Sequence, residues 1–95
     1  MTQDPLTVHL LIEGRVQGVG YRAWCAEEAV ARDLSGWARN LKTGAVEAVI
    51  SGPSDTVVDM MDALWQGPAL ARVTSVSDLE PVEPATGRFS VRETV

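Results

Sequence analysis

The eleven residues Gly14–Trp24, GRVQGVGYRAW, hold three glycines and two arginines, with no acid and no Ser, Thr, Asp or Asn. A helix start leaves its first backbone NH groups without partners inside the helix, and one of those four side chains normally satisfies one of them. The helix dipole also disfavours a cation in the first turn, where Arg22 falls. One bound anion would reconcile both departures. It would accept the NH groups of Val16, Gln17, Gly18, Val19 and Gly20 and pair with the Arg22 guanidinium. Gly18 and Gly20 would supply backbone angles that side chains disfavour and let the main chain come close to the anion. The chemistry indicated is recognition of a phosphoryl group. The plainer reading, a tight strand-to-helix turn beside a solvated arginine, stays open on the turn alone.

Other phosphate and catalytic signatures fit less well. "GVGYRA" has the G-x-G-x-x-A form of a dinucleotide fingerprint, but that fingerprint requires an acid about 20 residues on, where this chain has Arg39 and Asn40. No Lys-Ser or Lys-Thr pair follows the glycines, so the Walker pattern fails. His9 is the single histidine; it falls in mid-strand away from the turn and is expected at the surface, outside any Ser-His-Asp or Cys-His site. Cys25, one turn after Tyr21, is expected in the core. One His and one Cys do not make a zinc site and the acids lack ligand spacing, so no metal is implied. Trp24, Trp37 and Trp65 are expected to serve packing, and Glu27 and Glu28 to be solvated.

The elements that must position the turn follow from periodicity. Alternation between Pro5 and Arg15 sets Val8, Leu10 and Ile12 against Thr7, His9, Leu11 and Glu13, which predicts a strand. Tyr21, Trp24, Cys25 and Ala29 recur at helical spacing and predict a helix that ends before Ser35 and Gly36. "GWARNL" and "AVEAVIS", separated by Lys42, Thr43 and Gly44, predict a hairpin with Val46, Ala48 and Ile50 on one face. From Ser54, expected as a cap, Val57, Val58, Met61, Leu64 and Trp65 predict the buried stripe of a second helix. "ARVTSVSDL" alternates Val73, Ser75 and Ser77 against Thr74, Val76 and Asp78, and "GRFSVRETV" supplies a last short strand.

That order, βαββαβ, predicts an α+β fold: the ferredoxin-like split βαβ sandwich, an antiparallel sheet with two helices on one face. The first two strands then run parallel with the third between them, which brings the glycine turn and Asn40 to one edge of the sheet. Two strand spacings of ~4.8 Å leave a gap of ~10 Å, enough for a phosphate and an arginine side chain.

Composition narrows the classes. The 95 residues, 45% hydrophobic and 22% charged, predict a single domain over residues 1–95. A net charge of -5, from 13 acids against 8 bases, speaks against nucleic-acid binding, which relies on a basic surface. No stretch approaches the ~20 apolar residues that span a bilayer, and no basic segment precedes the first apolar run, so no membrane partner is expected. One cysteine excludes an internal disulfide and points to the cytoplasm. The expected working form is a monomer.

Two long segments, GRVQGVGYR (Gly14–Arg22) and GWARNLKTGAVEAVISG (Gly36–Gly52), resemble the two signatures of the acylphosphatase family in order and spacing. LWQGPALARV and FSVRETV are similar to the family too, so the resemblance covers nearly the whole chain. It implies the same sandwich, no cofactor, and hydrolysis of the carboxyl–phosphate bond in small acyl phosphates such as acetyl or carbamoyl phosphate, with inorganic phosphate as product. By position it implies Arg22 as the phosphate-binding arginine, Asn40 as the residue that orients the attacking water, and Val16, Gln17, Gly18, Val19 and Gly20 as the phosphate loop. Gly20 and Tyr21 occupy places where the family varies. The inventory suits the chemistry: a carboxylate whose acid has a pKa of ~4 to 5 leaves without a strong general acid, so positioning and charge stabilisation suffice. Two alternatives accompany this expectation. One is a regulatory module that binds a phosphometabolite without hydrolysing it, in which Asn40 would have no task. The other is the acylphosphatase-like domain of a carbamoyl-transfer maturation protein, against which stands the lack of zinc-type cysteine pairs after it.

Overall fold

Alternation carries the first strand, β1, through Pro5–Arg15, with Leu10 and Ile12 turned into the core. In a computed structural model that describes residues 4–95, it is followed by α1 (Tyr21–Ala31), β2 (Ser35–Asn40), β3 (Val46–Pro53), α2 (Ser54–Gln66), β4 (Arg72–Asp78) and β5 (Ser90–Val91). The sheet order is β4-β1-β3-β2-β5. β3 pairs antiparallel with both β1 and β2, so those two are parallel and their carboxyl ends share one edge.

The helices cover one face. Tyr21, Cys25 and Ala29 of α1 and Val57, Met60 and Leu64 of α2 form a single cluster with Leu10, Ile12, Ala38, Val46, Ala48 and Ile50. Burial pushes the Cys25 thiol up to about 12, so it is protonated and inert at neutral pH, the core role expected of it. The α2 stripe is displaced from expectation: Met60 is buried, while Val58 and Trp65 are 52% and 49% exposed. The two candidate stripes are adjacent on one helix, and the side chains of α1 and the sheet leave room for only one of them. Ser54 is not the cap but the first helical residue, with Pro53 before it and no side-chain cap bond. Its NH is already satisfied by the Asp4 carbonyl at 2.9 Å.

Val73 and Val76, of opposite parity in β4, both pack against the core. A bulge explains this. The register passes from Ile12↔Val76 and Glu13↔Ser75 to Gly14↔Val73, leaving Thr74 without a partner and reversing the alternation. Gly14 is required there, since it has φ 122° and an added Cβ would lie 2.1 Å from the Arg72 carbonyl oxygen.

The sheet is also not wholly antiparallel, because β5 pairs parallel with β2. β4 runs away from the glycine turn, from Arg72 beside Arg15 to Asp78 beside Leu10. A strand that starts from that end on the opposite edge must run back toward the turn, as β2 does. Residues 79–86 therefore cross the face opposite the helices. They are pinned by Leu79 N to His9 O at 2.7 Å and by Ala85 N to Ser51 Oγ at 2.9 Å. His9 is thus not a solvated surface residue: Nδ1 donates to the Glu80 carbonyl at 2.7 Å and Nε2 to the Glu47 carboxylate at 2.6 Å. Arg39 donates to the other Glu47 oxygen at 2.7 Å. Trp37, on the same face, packs less against the core than between cations, with the Arg39 and Arg92 guanidinium carbons 4.8 and 4.4 Å from its ring centroid.

Candidate active site

The chain leaves β1 through Val16, which is 1% exposed, and enters α1 at Tyr21, equally buried, whose hydroxyl donates to the Leu64 carbonyl at 2.7 Å. Both ends of the turn are thereby anchored in the core while its middle lies outside. Gly18 and Gly20 have φ of 74° and 78°, angles that glycine adopts without strain. An added Cβ at either would meet no atom within 4 Å. What selects glycine here is the backbone angle, and the space above it is open.

α1 starts as its sequence indicates. Gly20 occupies the cap position with no side-chain cap bond, no acid lies in the first turn, and the first helical bond runs from Trp24 N to Gly20 O at 3.0 Å. Among the described residues, no turn, loop or cap bond from the NH groups of Val16 to Gly20 is formed. They lie at the positive end of a helix, where backbone NH groups and the helix dipole favour negative charge.

A cleft of about 240 Å³ brings the distant pieces together. It is lined by Val16, Gln17, Gly18 and Gly20 of the turn, by Tyr21, Arg22 and Ala23 of the first turn of α1, and by Asn40 and Val91 from β2 and β5. Of the residues expected to bind phosphate, only Val19 is not in the lining; its side chain packs against the core. Arg22 Nη1 donates to the Arg92 carbonyl at 3.0 Å, which uses one of its five donors and fixes the guanidinium at the cleft. Asn40 ends β2, and its backbone carbonyl accepts from Val95 N at 3.1 Å.

Gln17 does more than the sequence discloses. Its Nε2 donates to the carbonyls of Leu41 and Ala45, at 2.7 and 2.8 Å, and so ties the turn to the hairpin that carries Asn40. Both acceptors are main-chain atoms, so no pairing of residue types could have revealed the contact. The sequence likewise gave no sign of Val91 at the cleft, since a two-residue strand leaves no periodicity to read.

The lining offers backbone NH groups, one guanidinium and the neutral amides of Gln17 and Asn40, with no carboxylate, imidazole or thiol. Such a site can bind an anion, stabilise negative charge and orient a water. It has no side chain suited to move a proton at neutral pH, because the Tyr21 phenol is pushed up by burial and already donates to Leu64.

The family model for acylphosphatase matches residues 8–91. A curated acylphosphatase of Azorhizobium caulinodans is 57% identical over 90 residues, covering 94% of this chain and 97% of that protein. Among solved structures, an acylphosphatase from Coxiella burnetii superposes with a TM-score of 0.87 at 35% identity, covering 94% of each chain. One from Bacillus subtilis does so with a TM-score of 0.80 at 34% identity, covering 90% of this chain and 97% of that one.

Proposed function

Since this chain belongs to the acylphosphatase family and hydrolyses acyl phosphates, we propose that the reaction takes place in the cleft between the glycine turn and Asn40. In this reading the phosphoryl oxygens accept the NH groups of residues 16–20 and pair with Arg22, which stabilises the charge that spreads over them in the transition state. Asn40, with both a donor and an acceptor on its amide, holds a water for in-line attack. The new bond joins that water to phosphorus, the bond to the carboxyl oxygen breaks, and its electron pair leaves on the carboxylate. Both protons of the water stay with the product, H₂PO₄⁻, until solvent takes one, so no side chain has to act as base.

The observation that carries this reading is that one cleft unites the uncapped helix start, Arg22 and Asn40. The same reading has residues 1–95 as one domain acting as a monomer in the cytoplasm. A cleft completed by a single chain supports the monomer, and a buried free Cys25 suits a reducing compartment. Among the described residues no helix is long and apolar enough to cross a membrane. The alternatives are not favoured, since the relatives named above are acylphosphatases matched along nearly their full length.

The test is hydrolysis of benzoyl phosphate in the presence of a chelator. Arg22→Ala and Asn40→Ala are each expected to lower kcat by about 10²-fold or more, the scale of losing one aimed donor. Arg22→Ala should also lose inhibition by inorganic phosphate, whereas Asn40→Ala should keep it. Wild-type rates in either variant, or equal phosphate inhibition in both, would remove the assignment.

A further inference from the structure

The phosphoryl group occupies the polar wall of the assigned cleft, so the acyl group must extend toward whatever apolar surface the mouth offers. That surface is small. Val16 and Tyr21 line the cleft but are each 1% exposed, so they form its floor, and Ala23 contributes a single methyl. Val91 is different, at 45% exposed the one sizeable apolar side chain of the lining with surface to spare.

Its exposure has a structural cause. Along β5 side chains alternate, so Val91 lies on the same face as Phe89. Phe89 is 4% exposed and belongs to the core cluster, in the region of Ala26 and Val30 of α1. Two residues further on, Val91 has reached the level where α1 begins, and there the glycine turn stands in place of a helix to cover it. The pairing Ala38↔Val91 sets it beside β2 just before Asn40, and the next residue, Arg92, supplies the carbonyl that holds Arg22.

From these observations we propose that Val91 contacts the acyl group of the substrate and sets preference among acyl phosphates, favouring apolar or aromatic acyl groups over small ones. The assignment rests on the cleft being the site of hydrolysis. Each methylene-sized contact in a closed apolar pocket discriminates by roughly 10- to 200-fold, and an open mouth with one valine gives less.

The test compares kcat/KM for benzoyl and acetyl phosphate in the wild type, Val91→Thr and Val91→Leu. Threonine keeps the β-branched shape that a strand prefers and replaces one methyl by a hydroxyl, while leucine extends the apolar contact. The benzoyl-to-acetyl ratio is expected to fall by roughly three- to tenfold in Val91→Thr, through KM, and to rise in Val91→Leu. A ratio unchanged in both variants would overturn the proposal. So would an equal loss on both substrates and on inhibition by inorganic phosphate, which would make Val91 a merely structural residue. If the folded wild type turned over neither substrate, the reading of the cleft itself would fall, an outcome distinct from an unchanged ratio.

Discussion

His9 has an acceptor on each ring nitrogen, the Glu80 carbonyl on one and the Glu47 carboxylate on the other. A neutral imidazole has one NH and cannot serve both. Burial opposes the charged ring, but the hydrogen bonds to Glu47 and to the Glu80 carbonyl outweigh it and raise the pKa above the ordinary 6.5. For Glu47, burial likewise opposes ionisation, and the donors from His9 and Arg39 win, lowering it below 4.5. The signs follow from linkage. The His9 contribution is fully present below 6.5 and is lost as pH rises through the raised folded value. The Glu47 contribution is present above 4.5 and is lost as pH falls through the lowered one. The stability advantage of the wild type over His9→Gln in urea melts should therefore be greatest between those two values and shrink as pH climbs toward 8.5. A constant gap over that range would mean that folding leaves the His9 pKa unshifted. Alternation alone placed this histidine on the face away from the helices, as found, but the carbonyl that recruits it comes from a loop with no pattern to announce it.

At the level of elements, the glycine turn and the β2–β3 hairpin are separate in the sequence and joined by one amide. Replacing Gln17 by Glu keeps the shape of that side chain and turns two donors into acceptors facing the Leu41 and Ala45 carbonyls. The cost should be about 1 to 3 kcal/mol of stability, the range for a buried group left unsatisfied, measurable by denaturant unfolding. No change would mean that the turn and hairpin hold their places unaided. Sequence reasoning was accurate about the broken local rules, since α1 does begin without a side-chain cap or an acid in its first turn. It also found Asn40, because strand order follows from periodicity. It failed where two local solutions were equally good. The stripes on α2 differ by one residue, and only the surface offered by α1 and the sheet chooses Met60 over Val58 and Trp65. The Thr74 bulge was hidden in a strand whose alternation read equally well without it, and the direction of β5 depends on which edge β4 leaves from.

For the molecule as a whole, the sheet order sets early residues beside late ones. β1 lies between β3 and β4, and the Arg22 guanidinium rests on the carbonyl of Arg92. Sheets built from such distant pairings fold slowly, in about milliseconds to seconds, because loop closure must precede contact. The cleft needs β1, β2 and β5 in place, so it is expected to form after the rate-limiting step. A ligand that binds only there should slow unfolding and leave the folding rate untouched. Stopped-flow measurements with and without inorganic phosphate would show this as a shift of the unfolding limb alone, and a shift of the folding limb would place the cleft within the nucleus. Catalysis then serves as a clock for the final docking event: in a refolding chain, burial of Trp24, which packs against the core, should come first, and hydrolysis should begin only when the last strand has closed over Arg22.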